Sequence, residues 1–313
     1  MDVKRLFYHW ILPVALILMS ACDDVELIEP PGIQVNMEDD TVIFAVIGDY
    51  GKDGPDEAAV AQLVKSWSPD LVITTGDNNY QSGEMNTIME NIADHYGDYV
   101  FNFDAEEAYR CNGRAFEEEV NRFFPSPGNH DTYGSSGMKP YLNFFTLPGN
   151  EVYYKFTWGD LAFFSLNSTA SSMSEQEEWL KEEILGSKGK IRIVYFHHSP
   201  YSISKHGNER KMQLDFYGMG VDLVLTGHDH VYSRIEKSDE PGLTYLITGA
   251  GGKSLYECGT SELDEKVFTV TCNDTDFGAV RGIYDGQSLV LEYYTVSDSS
   301  EPFDHIEIFP VEK

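Results

Sequence analysis

Five short clusters hold most of the side chains in this chain that could do chemistry. They are Gly48-Asp49-Tyr50-Gly51, Gly76-Asp77-Asn78-Asn79-Tyr80, Gly128-Asn129-His130-Asp131, His197-His198-Ser199-Pro200 and Gly227-His228-Asp229-His230. Each alone is ordinary, since Gly-Asp and Gly-Asn are common turns. Together, in this order, they supply the carboxylates and imidazoles that a pair of metal ions needs. Cleaving a phosphate ester at neutral pH requires a nucleophile better than water and something to absorb charge on the phosphate oxygens. Two cations about 3.5–4 Å apart do both, by lowering the pKa of a bridging water and clamping those oxygens. A carboxylate shared between them is the natural bridge. Imidazoles mixed with carboxylates suit Zn, Fe and Mn, whereas oxygen donors alone would point to Mg or Ca.

The elements that must position these clusters can be read from apolar patterning. Residues 41–47 (TVIFAVI) form a continuous β-branched and apolar run that suits a strand covered on both faces, and it ends at Gly48-Asp49. Residues 56–67 follow as a helix, with Ala59, Leu63 and Val64 near helical spacing and Ser68-Pro69 as a stop. The next strand, 71–75, ends at Gly76-Asp77, so the unit favours a parallel pair with a right-handed crossover. Further strands at 191–196 and 221–226 end at His197-His198 and Gly227-His228. Four apolar strands thus deliver polar residues past their carboxyl ends, where open α/β sheets place ligands.

Between them, 153–157 and 161–167 read as a hairpin. Residues 174–185 read as a surface helix capped by Ser174, with Glu177 at capping-box spacing. After Gly249 the chain is β-rich, with strands expected at 282–284, 289–295 and 306–309. The stretch 81–124 carries no clear pattern and is expected to supply helices and loops over one side of the site.

Composition excludes several classes. The 313 residues carry 52 acidic and 22 basic side chains, a formal charge of -30, and an aromatic share of 13%. The apolar content is that of a folded protein, and the charge disfavours a nucleic-acid partner while allowing a small phosphorylated substrate once cations reverse the local field. No Gly-x-Ser-x-Gly elbow accompanies the histidines, which removes support for a serine hydrolase.

The first 22 residues read as an export signal: Lys4 and Arg5, an apolar stretch from Trp10 to Met19, then Ser20-Ala21-Cys22. The small residues before Cys22 resemble a bacterial lipoprotein processing site, with Cys22 carrying the lipid; plain signal cleavage and an uncleaved anchor are the alternatives. Residues 23–40, acidic and containing Pro30-Pro31-Gly32, read as a tether to a catalytic domain spanning 41–313. Export also permits a disulfide, and Cys258 with Cys272 could close a short loop, leaving Cys111 over. Two glycosylation-type triplets, at Asn167 and Asn273, are chance matches beside such an N-terminus.

Taken together, the five clusters resemble the calcineurin-like metallophosphoesterases, and specifically the purple acid phosphatase branch. The wider superfamily opens with Asp-x-His, but here the third place is Gly51; in the purple acid phosphatase branch a Tyr three residues after the bridging Asp replaces that ligand, and Tyr80 sits there. The resemblance covers roughly 41–252. It implies two mixed β-sheets packed as a sandwich flanked by helices, an α/β/β/α architecture of the small, single-domain kind. It also implies Asp49, Asp77, Tyr80 and His230 on a first ion, Fe(III), and Asp77, Asn129, His198 and His228 on a second, Zn, Fe(II) or Mn(II).

By the same resemblance Asn129 and His130 contact the phosphate, and His130 protonates the leaving oxygen. Pro200, two residues on, selects His198 over His197, which is left to the core or to support of the ligands. His206 lies where plant relatives carry further substrate-binding histidines, and Asp131 reads as a turn or supporting residue. The implied function is hydrolysis of phosphate monoesters by a metal-bridging hydroxide in the bacterial envelope. A phosphodiesterase or nucleotide hydrolase on the same metals is the alternative. A phosphate-binding or adhesion lipoprotein without turnover is the rival from outside the enzymes.

Overall fold

A computed structural model describes residues 41–187 and 191–310. The signal segment, Cys22 and the tether lie outside the described residues. In chain order the strands are β1 (Val42–Ile47), β2 (Leu71–Thr74), β3 (Phe123–Pro125), β4 (Tyr154–Trp158), β5 (Leu161–Ser165), β6 (Ile191–His198), β7 (Leu223–Gly227), β8 (Tyr232–Lys237), β9 (Thr244–Thr248), β10 (Val267–Asn273), β11 (Gly278–Tyr284), β12 (Leu289–Thr295) and β13 (Asp304–Ile308). They form a six-stranded sheet, β13-β12-β11-β1-β2-β3, and a seven-stranded sheet, β10-β8-β9-β7-β6-β5-β4. In the first, β1, β2 and β3 run parallel; in the second, β5, β6, β7 and β9 do. The other neighbours pair antiparallel.

The two sheets pack face to face. Phe44 of β1 meets Phe163 of β5 edge-on at 5.5 Å, and Phe124 of β3 stacks on Phe156 of β4 at 3.8 Å. The alternation of strand side chains assigns Phe163, Ile193, Tyr195, Leu223 and Leu225 to this inner core. Ala162, Phe164, Val194, Phe196 and Val224 point the other way, into a second core with Leu180 and Ile184 of the helix Ser174–Gly186. Strands covered on both faces need continuous apolar runs, which is why β1, β2, β6 and β7 stand out in the sequence. Removing a ring such as Phe163 would cost about 3–5 kcal/mol.

Several local expectations differ from the structure. The helix Pro55–Ser66 buries Val60, Ala61, Leu63 and Val64, while Ala59 is only half-buried, because the apolar stripe is one residue further on. Met173, not Ser174, stands at the N-cap position of the helix Ser174–Gly186, and Ser174 is its first residue. Its amide is met by Ser172 Oγ at 3.3 Å, so the capping box does not form. The stretch 81–124 does supply short helices, but it also supplies the strand β3, and β10 was not expected at all. Cys258 and Cys272 are joined in a disulfide, with Cys111 free and buried.

Candidate active site

All five clusters converge at the carboxyl ends of β1, β2, β3, β6 and β7, where the two sheets meet. Leaving a strand and turning at once requires unusual backbone: Asp49 (φ 53), Asp77 (φ 55) and His228 (φ 70) all take the left-handed conformation. For residues with a Cβ this is strained, and such strain gathers at functional sites. Glycines permit the close approach of the loops. A Cβ on Gly128 would lie 2.2 Å from Asp77 N, and one on Gly51 only 1.8 Å from the carbonyl oxygen of Asn78. A His at position 51 is therefore incompatible with this loop. Instead Tyr80 N donates to Gly51 O at 2.7 Å, and the phenol turns into the site.

Around Tyr80 three further donors gather, Asp49, Asp77 and His230. Its hydroxyl lies 2.8 Å from Asp77 Oδ2, 3.1 Å from Asp49 Oδ1 and 3.3 Å from His230 Nε2, which is itself 3.3 Å from Asp49 Oδ1. The other oxygen of Asp77 faces a second group. His197 Nε2 lies 3.4 Å from Asp77 Oδ1, 2.9 Å from Asn129 Oδ1 and 3.1 Å from His228 Nδ1. Donors bound at about 2.1 Å to neighbouring positions on one ion stand about 3 Å apart, so both groups have the spacing of a metal shell.

His197 is the departure from the expectation that set it aside in favour of His198. The register of β6 against β7 shifts between Tyr195 and His198. Such a bulge re-aims one side chain, and here His197, fully buried, points between Asp77 and Asn129 with Nδ1 2.9 Å from Thr75 O. His198 lies beside it, Nδ1 2.9 Å from Ser168 Oγ and its ring 4.4 Å from that of His228, and its ligand atom comes within 4.8 Å of those of His197 and His228, close enough for the three to share an ion.

The remaining residues surround this centre. His130 N donates to Asp77 Oδ1 at 2.8 Å, and His130 Nδ1 meets Gln81 O at 2.5 Å, leaving Nε2 3.9 Å from Asp77 Oδ2. Asp131 is buried and accepts from Asn78 N, Asn78 Nδ2 and Gly128 N, so it braces two of the loops rather than facing the centre. His206, exposed, stacks on His228 at 4.0 Å, its amide held by Asp229 Oδ1 at 2.8 Å. Ser254 Oγ, 2.8 Å from His230 Nδ1, and Tyr256, stacked on His230 at 4.1 Å, were not foreseen. They lie in the segment 252–256, which carries no motif; only its position a few residues past the apolar strand β9 could have pointed to them.

The electrostatics describe a place built for cations. Burial, with Asp77 adding to it against the opposing pull of His197, pushes Asp49 up to about 8. Burial and the two carboxylates raise the Tyr80 phenol further above its usual range. Burial and crowding by the other imidazoles hold His228 far below the ordinary histidine range, and burial holds His230 down at about 4. A carboxyl group and a phenol that resist ionising, beside imidazoles that resist protonation, are the groups whose balance a bound cation reverses.

The calcineurin-like phosphoesterase family matches residues 42–232. The chain therefore belongs to the calcineurin-like phosphoesterases, in the purple acid phosphatase branch, and is a metallophosphoesterase. It is 25% identical over 308 residues to purple acid phosphatase 17 of Arabidopsis thaliana, a match covering 87% of this chain and 83% of that protein. Purple acid phosphatase PPD1 from yellow lupin superposes with a TM-score of 0.67 at 18% identity, covering 87% of this chain and 54% of that one. GAP50, described as the anchor in the inner membrane complex of Plasmodium, gives 0.65 at 17% identity, covering 87% and 90%. At such identities the structural likeness is one of fold. Membership of the branch implies a dinuclear metal centre.

Proposed function

We propose that this enzyme hydrolyses phosphate monoesters at a two-metal centre. Asp49, Asp77, Tyr80 and His230 hold the first ion in this reading, and Asp77, Asn129, His197 and His228 the second. The observation that carries it is the split of Asp77: one carboxylate oxygen faces the Tyr80 group and the other faces the His197 group. His197 takes the place that sequence spacing gave to His198. Two carboxylates and a phenol favour Fe(III) in the first position, and the imidazole and amide donors of the second suit Zn, Fe(II) or Mn(II).

When bound, the ions lower the pKa of a water between them and neutralise the phosphate oxygens. The protein's own groups do the rest. Asn129 and His130 orient the ester, and His130, fixed through Nδ1–H to Gln81 O, presents Nε2 toward the site and in its protonated form gives a proton to the leaving oxygen. His206, at the rim against His228, adds a further contact to the substrate.

GAP50 bears on the rival reading, since the fold occurs in a protein named as an anchor. The complete donor set favours turnover here. Steady-state assay of the metal-loaded protein on nitrophenyl phosphate and on its bis-ester tests the proposal: cleavage of the monoester at least tenfold faster, abolished by chelation and restored by metal, is expected. Faster cleavage of the bis-ester would make it a phosphodiesterase, and absence of turnover on either would leave a binding protein. We further infer export to the bacterial envelope with a lipid on Cys22. Labelling with radioactive palmitate, lost in Cys22→Ser together with membrane fractionation, checks that inference.

A further inference from the structure

In a chain with 52 acidic and 22 basic side chains, a lysine beside the site without a carboxylate partner calls for explanation. Lys155, Lys181, Lys237 and Lys266 each pair with one. Among the described residues Lys52, Lys65, Lys139, Lys211, Lys253 and Lys205 have no such ion pair, and of these Lys253 and Lys205 stand against the aromatic wall of the site. Lys253 Nζ stands 5.2 Å from the ring centre of Tyr80, and Lys205 Nζ stands 4.2 Å from that of Tyr256. Between them the rings of Tyr80, His230 and Tyr256 follow one another at 6.3 and 4.1 Å.

Lys253 is no stray surface group. Its backbone amide donates to Asp49 O at 3.1 Å, which ties it to the first half of the site, and its side chain is partly buried. A partly desolvated ammonium costs free energy unless an anion meets it. With the exposed Lys205 at the other end of the wall, it offers positive charge to an anion that arrives with the substrate.

We propose that Lys253 and Lys205 form a subsite for a second phosphate, so that the preferred substrates are small molecules carrying two phosphate groups, one cleaved and one held. This deepens the reading above and rests on it for the cleaved phosphate. The scissile group is served by the ions, Asn129 and His130; the lysines stand against the rings of Tyr80 and Tyr256. The competing account is that Lys253 only offsets the charge of Asp49, Asp77 and Tyr80.

The test compares fructose 1,6-bisphosphate with fructose 6-phosphate on the metal-loaded full chain, and in parallel measures calorimetric binding of propane-1,3-bisphosphonate against propylphosphonate, which are not hydrolysed. A kcat/KM ratio of at least about tenfold for the bisphosphate is expected, falling about tenfold in Lys253→Met and less in the more exposed Lys205→Met. Raising the salt should shrink the ratio, because exposed charge is screened. A ratio near one in the parent, equal losses on both sugars, or loss of metal from Lys253→Met would overturn the subsite. If neither sugar is cleaved but the bisphosphonate still binds about tenfold more tightly and Lys253→Met removes that preference, the subsite stands and the phosphatase reading falls. No preference in either measurement overturns the subsite.

Discussion

The two halves of the site are built from opposite chemistry. The Tyr80 half gathers three acidic groups, Asp49, Asp77 and the phenol, around one imidazole, and burial forces Asp49 up to about 8. The His197 half gathers an amide and two imidazoles around the other oxygen of Asp77, and burial with mutual repulsion forces His228 down. One half therefore needs a strongly charged cation to ionise it, and the other needs only one that accepts nitrogen. On the proposed reading, this difference is what lets one small pocket hold two different ions.

Asp77 is the one residue that belongs to both halves, so changing it should have the largest effect. Asp77→Asn keeps the shape but removes the shared charge, and turnover on nitrophenyl phosphate is expected to fall by about 10⁴-fold with metal lost from both positions. Metal analysis of the purified variant checks this. Two retained ions with near-normal turnover would break the comparison at its root.

Next comes the paired test of the second half. His197→Ala should lose the second ion and about 10²- to 10³-fold in kcat/KM, while His198→Ala should keep both ions and lose less than about tenfold, in the range of supporting residues. The reverse order would mean that the bulge in β6 does not set the ligand. His130→Ala should keep both metals and lose about 10²-fold on alkyl phosphates but much less on nitrophenyl phosphate, whose leaving group needs no proton. Equal losses on both esters would remove the acid role from His130.

Legibility in the sequence followed the same physics. β1, β2, β6 and β7 were readable because strands buried on both faces must be apolar throughout, and the loops after them because tight turns need Gly and Asp. β3 was not readable, being three residues long and ending in Pro125; β10 was not, because Phe268 and Val270 point outward from an edge strand and give no buried face to recognise. Tyr80 was legible through its spacing from Asp77, and Gly51 supplied the reason when its missing Cβ proved to touch the Asn78 carbonyl. Which of His197 and His198 stands between Asp77 and Asn129 was not, since a bulge is a property of paired strands and leaves no mark in either one. Ser254 and Lys253 were invisible for a related cause: their roles depend on where the chain passes after β9.

The smallest expected effect on turnover, and the sharpest on the identity of the first ion, belongs to Tyr80. A phenolate on Fe(III) has electrons that light can move into empty d-levels, which colours the protein purple or pink; Zn(II), with a filled shell, gives no such band. The structure holds the phenol against two carboxylates, which keeps it protonated until a cation outweighs them. A trivalent ion does so more readily than a divalent one. Tyr80→Phe keeps the ring that packs on His130 at 4.3 Å but removes the oxygen. It should bleach the visible band while Asp49, Asp77 and His230 still hold an ion, leaving activity within about tenfold of the parent. Absorbance of the purified protein with iron analysis beside it makes the measurement. A colourless parent that is fully active with zinc in both positions would show that the acidic half does not discriminate by charge, and the contrast between the two halves would then be one of geometry alone.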